Sequence, residues 1–581
     1  MNSYNLYNYY GVHQYKEGYI FRVYAPNAVS VAVIGDFNNW NTNANIMNKD
    51  KGGTFSVFVK EAKELDHYKY LIDTGKKQIY KSDPFSFLSE YEYNHNSIIY
   101  NLDNYKWNDN EWIQKRDHLF NKPLNIYEVH LGSWKRENGY LNYRNIAEIL
   151  IPYVKKNGFT HVELMPITEY PYDGSWGYQV SCYYSVTSRF GTPKDFMYFV
   201  DFAHQNNIGV IVDWVPGHFP KDDFGLIEFD GTYLYEDHHE LRREHKRWGT
   251  RVFDFEKPWV KKFLISNAHF FYSIYHIDGI RVDAVASMLY LDYDRDLWQQ
   301  NIFGGNYNFS AINFLKELNT IIYQAFPYAM MIAEESTDFK KVTTPVYNGG
   351  LGFSYKWNMG WMNDSLKFIG ENNRLNNIDK LTFSFLYAYN ENYLLPISHD
   401  EVVHGKKSLL NKMIGNYDEK FQNHRLYYGF MMTHPGKKLS FMGNEFGQFI
   451  EWDYNKELDW FLLEYPKHKM LHLYYRELNH FYLENSPLWE LDHEKEGFRW
   501  VQGNELLIFK RFNKSNDELL IILNFNSQPF YQYKFSLNNQ YVEVFNSDNK
   551  KYGGKGIINK NITNGLVNIG SYSIIILKPF F

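Results

Sequence analysis

The stretch Asp278-Gly-Ile-Arg281-Val-Asp283 decides the fold. Its apolar centre reads as a short buried strand that ends on an arginine and an aspartate. Just before it, residues 260–275 place Leu264, Ala268, Phe271 and Tyr275 at i, i+4, i+7 and i+11, which is one face of a helix. A helix feeding a short buried strand is half of a βα repeat, and the pattern recurs on both sides. Upstream, residues 126–130 read as a strand. A helix over 146–156 feeds a strand at 161–165, and a helix over 196–205 feeds one at 210–214. Downstream, a helix carrying Leu315, Leu318 and Ile322 leads into a strand at 329–334, and strands follow at 394–398 and 438–442. Repeated βα units across residues 106–488 predict an α/β fold, a (β/α)8 barrel. A doubly wound open sheet is the rival architecture. No Gly-x-Gly-x-x-Gly opens a helix after a strand, so dinucleotide binding lacks its signal.

The flanks have a different rhythm. In residues 1–105, Phe21-Arg-Val-Tyr24 and Val29-Ser-Val-Ala-Val33 alternate in strand fashion around Pro26-Asn27, and Gly35-Asp-Phe-Asn-Asn-Trp40 is a turn signal. This segment is expected to be a β-sandwich. Residues 489–581 are also strand-rich and are expected to form a C-terminal all-β domain.

Composition excludes several functions. Lys plus Arg is 61 and Asp plus Glu is 67, so the formal net charge of −6 gives no basic excess for neutralising phosphates, and a nucleic-acid partner is not expected. Cys182 is the single cysteine, which excludes an intrachain disulfide and a thiolate metal cluster. The N-terminal segment has no basic region followed by an apolar one, and no run of about 18 apolar residues occurs. A cytoplasmic monomer without a membrane segment is expected. Aromatic residues make up 19% of the chain. Such a surplus either fills cores or offers flat faces to ligands.

Barrel enzymes place their chemistry where strands end and loops begin. Here those positions are polar: Asp213 and His218, then Arg281 and Asp283, then Glu334 and Glu335, then His399, Asp400 and Glu401. One aspartate after a strand is usually a helix cap. Four successive junctions of this kind exceed what caps require, because burying several acids together is costly unless they are paired or used. Two chemistries suit them. One is a hard-metal site; the other is glycosyl transfer, in which one carboxylate attacks the anomeric carbon and another protonates the leaving oxygen. Trp176, Tyr178 and Trp214 lie near these motifs and are expected to offer faces to sugar rings. Tyr183, Tyr184 and Phe219 are also near, with core packing as the plain alternative.

At these residues the sequence resembles the alpha-amylase superfamily and, within it, the glycogen (1,4-alpha-glucan) branching enzymes. The motifs are Asp213-Trp-Val-Pro-Gly-His218, Asp278-Gly-Ile-Arg281-Val-Asp283-Ala, Ala333-Glu334-Glu335-Ser-Thr337 and His399-Asp400-Glu401-Val-Val-His404-Gly. Residues 163–179, 126–134 and 434–443 look like the branching-enzyme versions of their segments. Residues 21–26 and 35–40 look like the family's β-sandwich glucan-binding module, with Tyr24 where many relatives carry Trp. The resemblance implies that Asp283 is the nucleophile, Glu334 the general acid/base and Asp400 a transition-state stabiliser. Glu334 is preferred to Glu335 as the first carboxylate after the small residue. Asp213, His218, Arg281, His399, Tyr178 and Trp176 would bind substrate. Arg281, two residues before Asp283 on one strand, shares its face and would hold Asp283 ionised.

The implied partner is an α-glucan polymer, glycogen or amylose, acting as both donor and acceptor, with no cofactor and no metal. The carboxylates leave the acceptor open: water gives hydrolysis, a 4-hydroxyl disproportionation, a 6-hydroxyl an α-1,6 branch. The alternatives are a related glucan hydrolase of the amylase, debranching or trehalose-releasing type, and a non-catalytic glucan-binding protein.

Overall fold

Eight parallel strands close into a barrel. They are β1 (Asn125–Val129), β2 (His161–Leu164), β3 (Gly209–Trp214), β4 (Gly279–Val282), β5 (Met330–Ala333), β6 (Tyr355–Trp357), β7 (Tyr393–Ile397) and β8 (Lys437–Phe441). β8 pairs back onto β1, which closes the ring and excludes the open sheet. The computed structural model describes residues 4–117, 120–503, 505–535, 540–559 and 565–580. β6 escapes the sequence reading because Tyr355-Lys-Trp357 is too short to carry a period.

The barrel interior shows why the strand ends are special. Side chains two residues apart on a strand share a face. Ile126, Ile211, Ile332, Trp357, Leu394 and Leu439 form an apolar cluster within the ring. Two residues further along their strands stand Glu128, Asp213 and Glu334. The lower layers are therefore greasy and the layer at the C-terminal mouth is charged. Helices outside the ring follow ordinary rules. The helix Pro193–Gln205 opens with proline and with a capping box between Thr192 and Asp195. The long loop segments after β3 carry a small antiparallel sheet of His218–Phe219, Thr250–Val252 and Glu244–His245.

The N-terminal module is a sandwich. One sheet contains Gly11–Tyr15, Gly18–Tyr24, Thr54–Val59 and Asn48–Lys49; the other is built on Ser30–Gly35 and His67–Asp73. Trp40 is half-buried, packs against Ala32, Ile34 and Leu71, and donates to Asp36 Oδ1 at 3.0 Å. It anchors the turn. Aromatic rings join the module to the barrel: Tyr24 lies 4.1 Å from Trp259 and Phe85 lies 4.7 Å from Tyr184, centroid to centroid. One apolar cluster thus runs from the sandwich through the barrel's helical layer. Part of the aromatic surplus thus docks the β-rich flanks on the barrel; in the C-terminal module Phe498 lies 4.8 Å from Phe385, centroid to centroid.

The C-terminal module has a five-stranded antiparallel sheet, Phe498–Gly503, Leu507–Phe512, Glu518–Asn524, Ser573–Phe580 and Gln540–Asn546, and a two-stranded one. Arg511 and Lys437 meet the buried Asp492 at 2.7 and 3.3 Å, which locks this module to the start of β8. Among the described residues no helix is long and apolar enough to cross a membrane.

Candidate active site

A cleft of about 630 Å³ opens at the C-terminal mouth of the barrel. Asp283, Glu334, Asp400, His218, His399, Tyr178 and Trp176 all line it. Arg281 sits beneath them, fully buried, and organises the floor. Its Nη1 donates to both oxygens of Asp213 at 2.6 and 2.7 Å and to Asp283 Oδ1 at 2.8 Å. Its Nη2 stands 3.0 Å from Glu334 Oε2. One guanidinium therefore gathers acids from β3, β4 and β5. It is also 4.5 Å from the Trp357 ring of β6, which lies in the interior layer below.

The turn after β4 is strained. Ala284 has φ of +47°, in the left-handed region, which costs a residue with a Cβ of order 1–3 kcal/mol. In return its N–H donates to Glu334 Oε2 at 2.7 Å. The kink thus ties the end of β4 to that of β5 and fixes Asp283 beside Glu334. Glu335 turns the other way. It is buried and pairs with Lys356 at 2.6 Å, so Glu334 is the carboxylate of that doublet which faces the cleft.

The second half of the site comes from β2, β7 and their loops. Tyr178 donates to Asp213 Oδ2 at 2.6 Å and lies 3.2 Å from His399 Nε2. Asp400 is 3.4 Å from the same nitrogen and is the most open of the acids, with 45% of its side chain exposed. Trp176 is largely buried and stacks on His404 with centroids 5.1 Å apart. His218 Nε2 is 3.9 Å from Asp283 Oδ2.

Electrostatics follow from this crowding. Burial pushes Asp283 well up, and Glu334, Asp213 and Asp400 add to the push; Arg281 opposes it but does not win. The expectation that Arg281 holds Asp283 ionised meets a competing demand: three acids share one guanidinium, and the cluster favours keeping a proton. Burial likewise raises Asp213 against Arg281. Burial would raise Asp400, yet His399 and Arg281 hold it below the ordinary carboxylate value. Burial pushes His218 down to about 4, so it is neutral.

Trp214 does not face sugar. It is buried at the end of β3, and its Nε1 donates to Asn267 at 2.7 Å. Tyr183, Tyr184 and Phe219 are core residues as well. The cleft instead gains Trp248 and Tyr293, from loops without a periodic signal, and His404. Glu128 and Glu163 lie at the barrel top and were also missed; their signal was the two-residue spacing from Ile126 and His161. Among the described residues, one group, Asp237, His238 and Asp254, brings three metal-ligating atoms together. It lies outside the cleft, and Lys257 already pairs with Asp254 at 3.3 Å. Cys182 is buried, which pushes its thiol up to about 12 and leaves it unreactive.

A closed (β/α)8 barrel with several acids around one arginine at its mouth, flanked by two β-modules, defines a protein of the alpha-amylase class. Residues 142–229 match the alpha amylase catalytic domain, residues 9–86 the carbohydrate-binding module 48 (isoamylase N-terminal domain), and residues 500–579 the alpha amylase C-terminal all-beta domain. The fold is similar to that of the pullulanase from Bacillus acidopullulyticus, with a TM-score of 0.75 at 17% identity over 98% of this chain and 75% of that one. Two relatives are far more similar in sequence. The 1,4-alpha-glucan branching enzyme GlgB of Halothermothrix orenii is 52% identical over 97% of this chain and 92% of its own length. That of Oceanobacillus iheyensis is 50% identical over 94% and 88%. The chain belongs to the GlgB family of 1,4-alpha-glucan branching enzymes.

Proposed function

We propose that the chain cleaves an α-1,4 glucosidic bond by a retaining double displacement and transfers the released chain to a 6-hydroxyl of an α-glucan. The observation that carries this reading is the bonding of Asp283 and Glu334 to the two terminal nitrogens of Arg281, 2.8 and 3.0 Å away. Such bonding keeps the carboxyls close, as retaining chemistry requires, where the separation is about 5 Å. In the first step Glu334 gives its proton to the leaving glycosidic oxygen. Asp283 attacks the anomeric carbon, and a covalent glycosyl-enzyme forms as the C–O bond breaks. In the second step Glu334 takes the proton of the acceptor hydroxyl, whose oxygen displaces Asp283. The crowded acids around Arg281 keep a proton among them, and the two steps require that proton to sit on Glu334 when substrate is bound, with Asp283 charged. Asp400 and His399 would bond ring hydroxyls more tightly as the ring flattens, and that differential binding lowers the barrier.

Membership of the branching family favours the 6-hydroxyl acceptor. The test is to incubate the protein with amylose and follow iodine colour together with reducing ends. Branching gives falling colour with almost no new reducing ends, and new short chains after enzymatic debranching. A stoichiometric rise in reducing ends overturns the transferase reading in favour of a hydrolase, and unchanged amylose leaves only a binding protein.

A further inference from the structure

Beneath the cleft lie two carboxylates with no place in the displacement steps. Glu128 and Glu163 face each other across the parallel register of β1 and β2, and both are buried. Glu128 is fully engaged. Its Oε2 accepts from the backbone N–H of His399 at 3.0 Å, and its Oε1 meets His399 Nδ1 at 2.5 Å. Glu163 is not: its Oε2 has no partner.

The hydrogen-bond inventory around His399 is decisive. Nδ1 faces a carboxylate, which when ionised only accepts. Nε2 faces Tyr178 OH at 3.2 Å and Asp400 Oδ1 at 3.4 Å. The one proton of Tyr178 is already given to Asp213 at 2.6 Å, so toward His399 the tyrosine oxygen can only accept. Both ring nitrogens therefore face acceptors, and both must carry hydrogen. Trp176, Tyr178, Phe441 and Trp452 surround the ring, and Tyr178 stacks on it with centroids 5.6 Å apart.

We propose that Glu128 is a positioning residue, which clamps the backbone and ring of His399 and holds it as an imidazolium whose Nε2–H is aimed at Tyr178 and Asp400. The proposal rests on the active-site reading above, since Asp400 and His399 are the groups placed against the sugar ring. The titratable groups that face His399 are Glu128 from β1, Glu163 from β2, Asp213 from β3, Arg281 from β4, Asp400 beside it and the neutral His130 at the end of β1. Burial works against a charge on His399, yet Asp400 and Glu128 together push it up to about 9. Burial and Glu128 push Glu163 well above the usual carboxylate range, so Glu163 favours its neutral form.

The experiment compares Glu128→Gln, Glu128→Asp and Glu163→Gln with wild type across pH, following total glycosidic cleavage and transfer separately. Glu128→Gln should lower kcat by about 30-fold or more with KM within about threefold, and move the basic limb of the His399 ring titration, read by NMR of labelled histidine, down by about one pH unit. Glu128→Asp keeps the charge and should keep the limb within about half a unit, with a smaller loss of kcat. Glu163→Gln replaces a neutral group by a neutral group and should leave the limb in place. A Glu128→Gln protein with the wild-type limb overturns the proposal even if kcat falls, because a merely structural role lowers kcat without moving the limb. Should Glu128→Gln not fold, a full-unit shift in Glu128→Asp overturns it equally. If wild type hydrolyses rather than branches, the branching reading fails while the cleavage kcat still tests Glu128.

Discussion

The strand β4 carries one aspartate at each end of its motif, and the two behave in opposite ways. Asp278, at the base of the barrel, receives Trp112 Nε1 at 2.8 Å, His204 Nε2 at 2.9 Å and the Val210 N–H at 2.7 Å, with Arg116 Nε 3.2 Å away. Burial would raise it, but His204 and Arg116 outweigh burial and hold it far below the ordinary value. Asp283, at the mouth, shares Arg281 with two other acids and is pushed up. Both are buried, five residues apart. The lesson is that charge balance, not burial or residue type, separates a structural acid from one available for chemistry. The base is neutralised and closed; the mouth is left acid-rich beside a cleft.

The contrast breaks most visibly by removing each acid. Asp283→Asn should lower kcat by about four orders of magnitude or more while glucan binding survives. Its Tm should equal or exceed that of wild type, because a carboxyl whose folded pKa is raised costs stability above its unfolded pKa, and the amide has no such cost. Retained turnover in this variant removes Asp283 from its role. Asp278→Asn should do the reverse: a loss of about 3–5 kcal/mol in denaturant unfolding, because buried cations lose their partner, with turnover per folded molecule within about threefold.

The pH dependence of stability sharpens the same comparison. Burial lowers His161 and His218 to about 4, and His434 to about 3, below the unfolded value near 6.5. The unfolded chain therefore binds more protons as pH falls from about 6.5, and the stability these groups contribute is lost over that window. Asp278 and Asp492 are depressed by paired cations, so their share is complete above about 3.9 and is lost below it. Tm should decline gradually from pH 6.5 and steeply below 4 in calorimetry. A flat Tm down to pH 4 contradicts neutral buried histidines. The smallest effects belong to the tryptophans: Trp176→Ala should raise KM for amylose about tenfold at little cost in kcat. Trp214→Phe should leave KM alone and cost about 1–3 kcal/mol, through the Asn267 Oδ1 left without its donor.

Much of the site was legible because strand–loop junctions are local. Residues 213, 283, 334 and 400 each follow an apolar run, and a barrel of such runs brings their ends together. Trp214 was misread for a related reason. It adjoins Asp213 in sequence, but alternate side chains of a strand point to opposite faces, so Asp213 points into the mouth and Trp214 into the helical layer. Trp248 and Tyr293 stood in loops, where no period predicts direction. Glu128 was visible as a strand residue, yet its bond to His399 joins positions 271 residues apart.

The sequence by itself determined the barrel, the two β-modules and the set of acids at the mouth, because helical and strand periods, like the junctions between them, are written within a few residues. Tertiary structure alone decided which acids are satisfied and which are not. That depends on how many carboxylates one guanidinium must serve, and Arg281 meets its partners only when β3, β4 and β5 lie side by side.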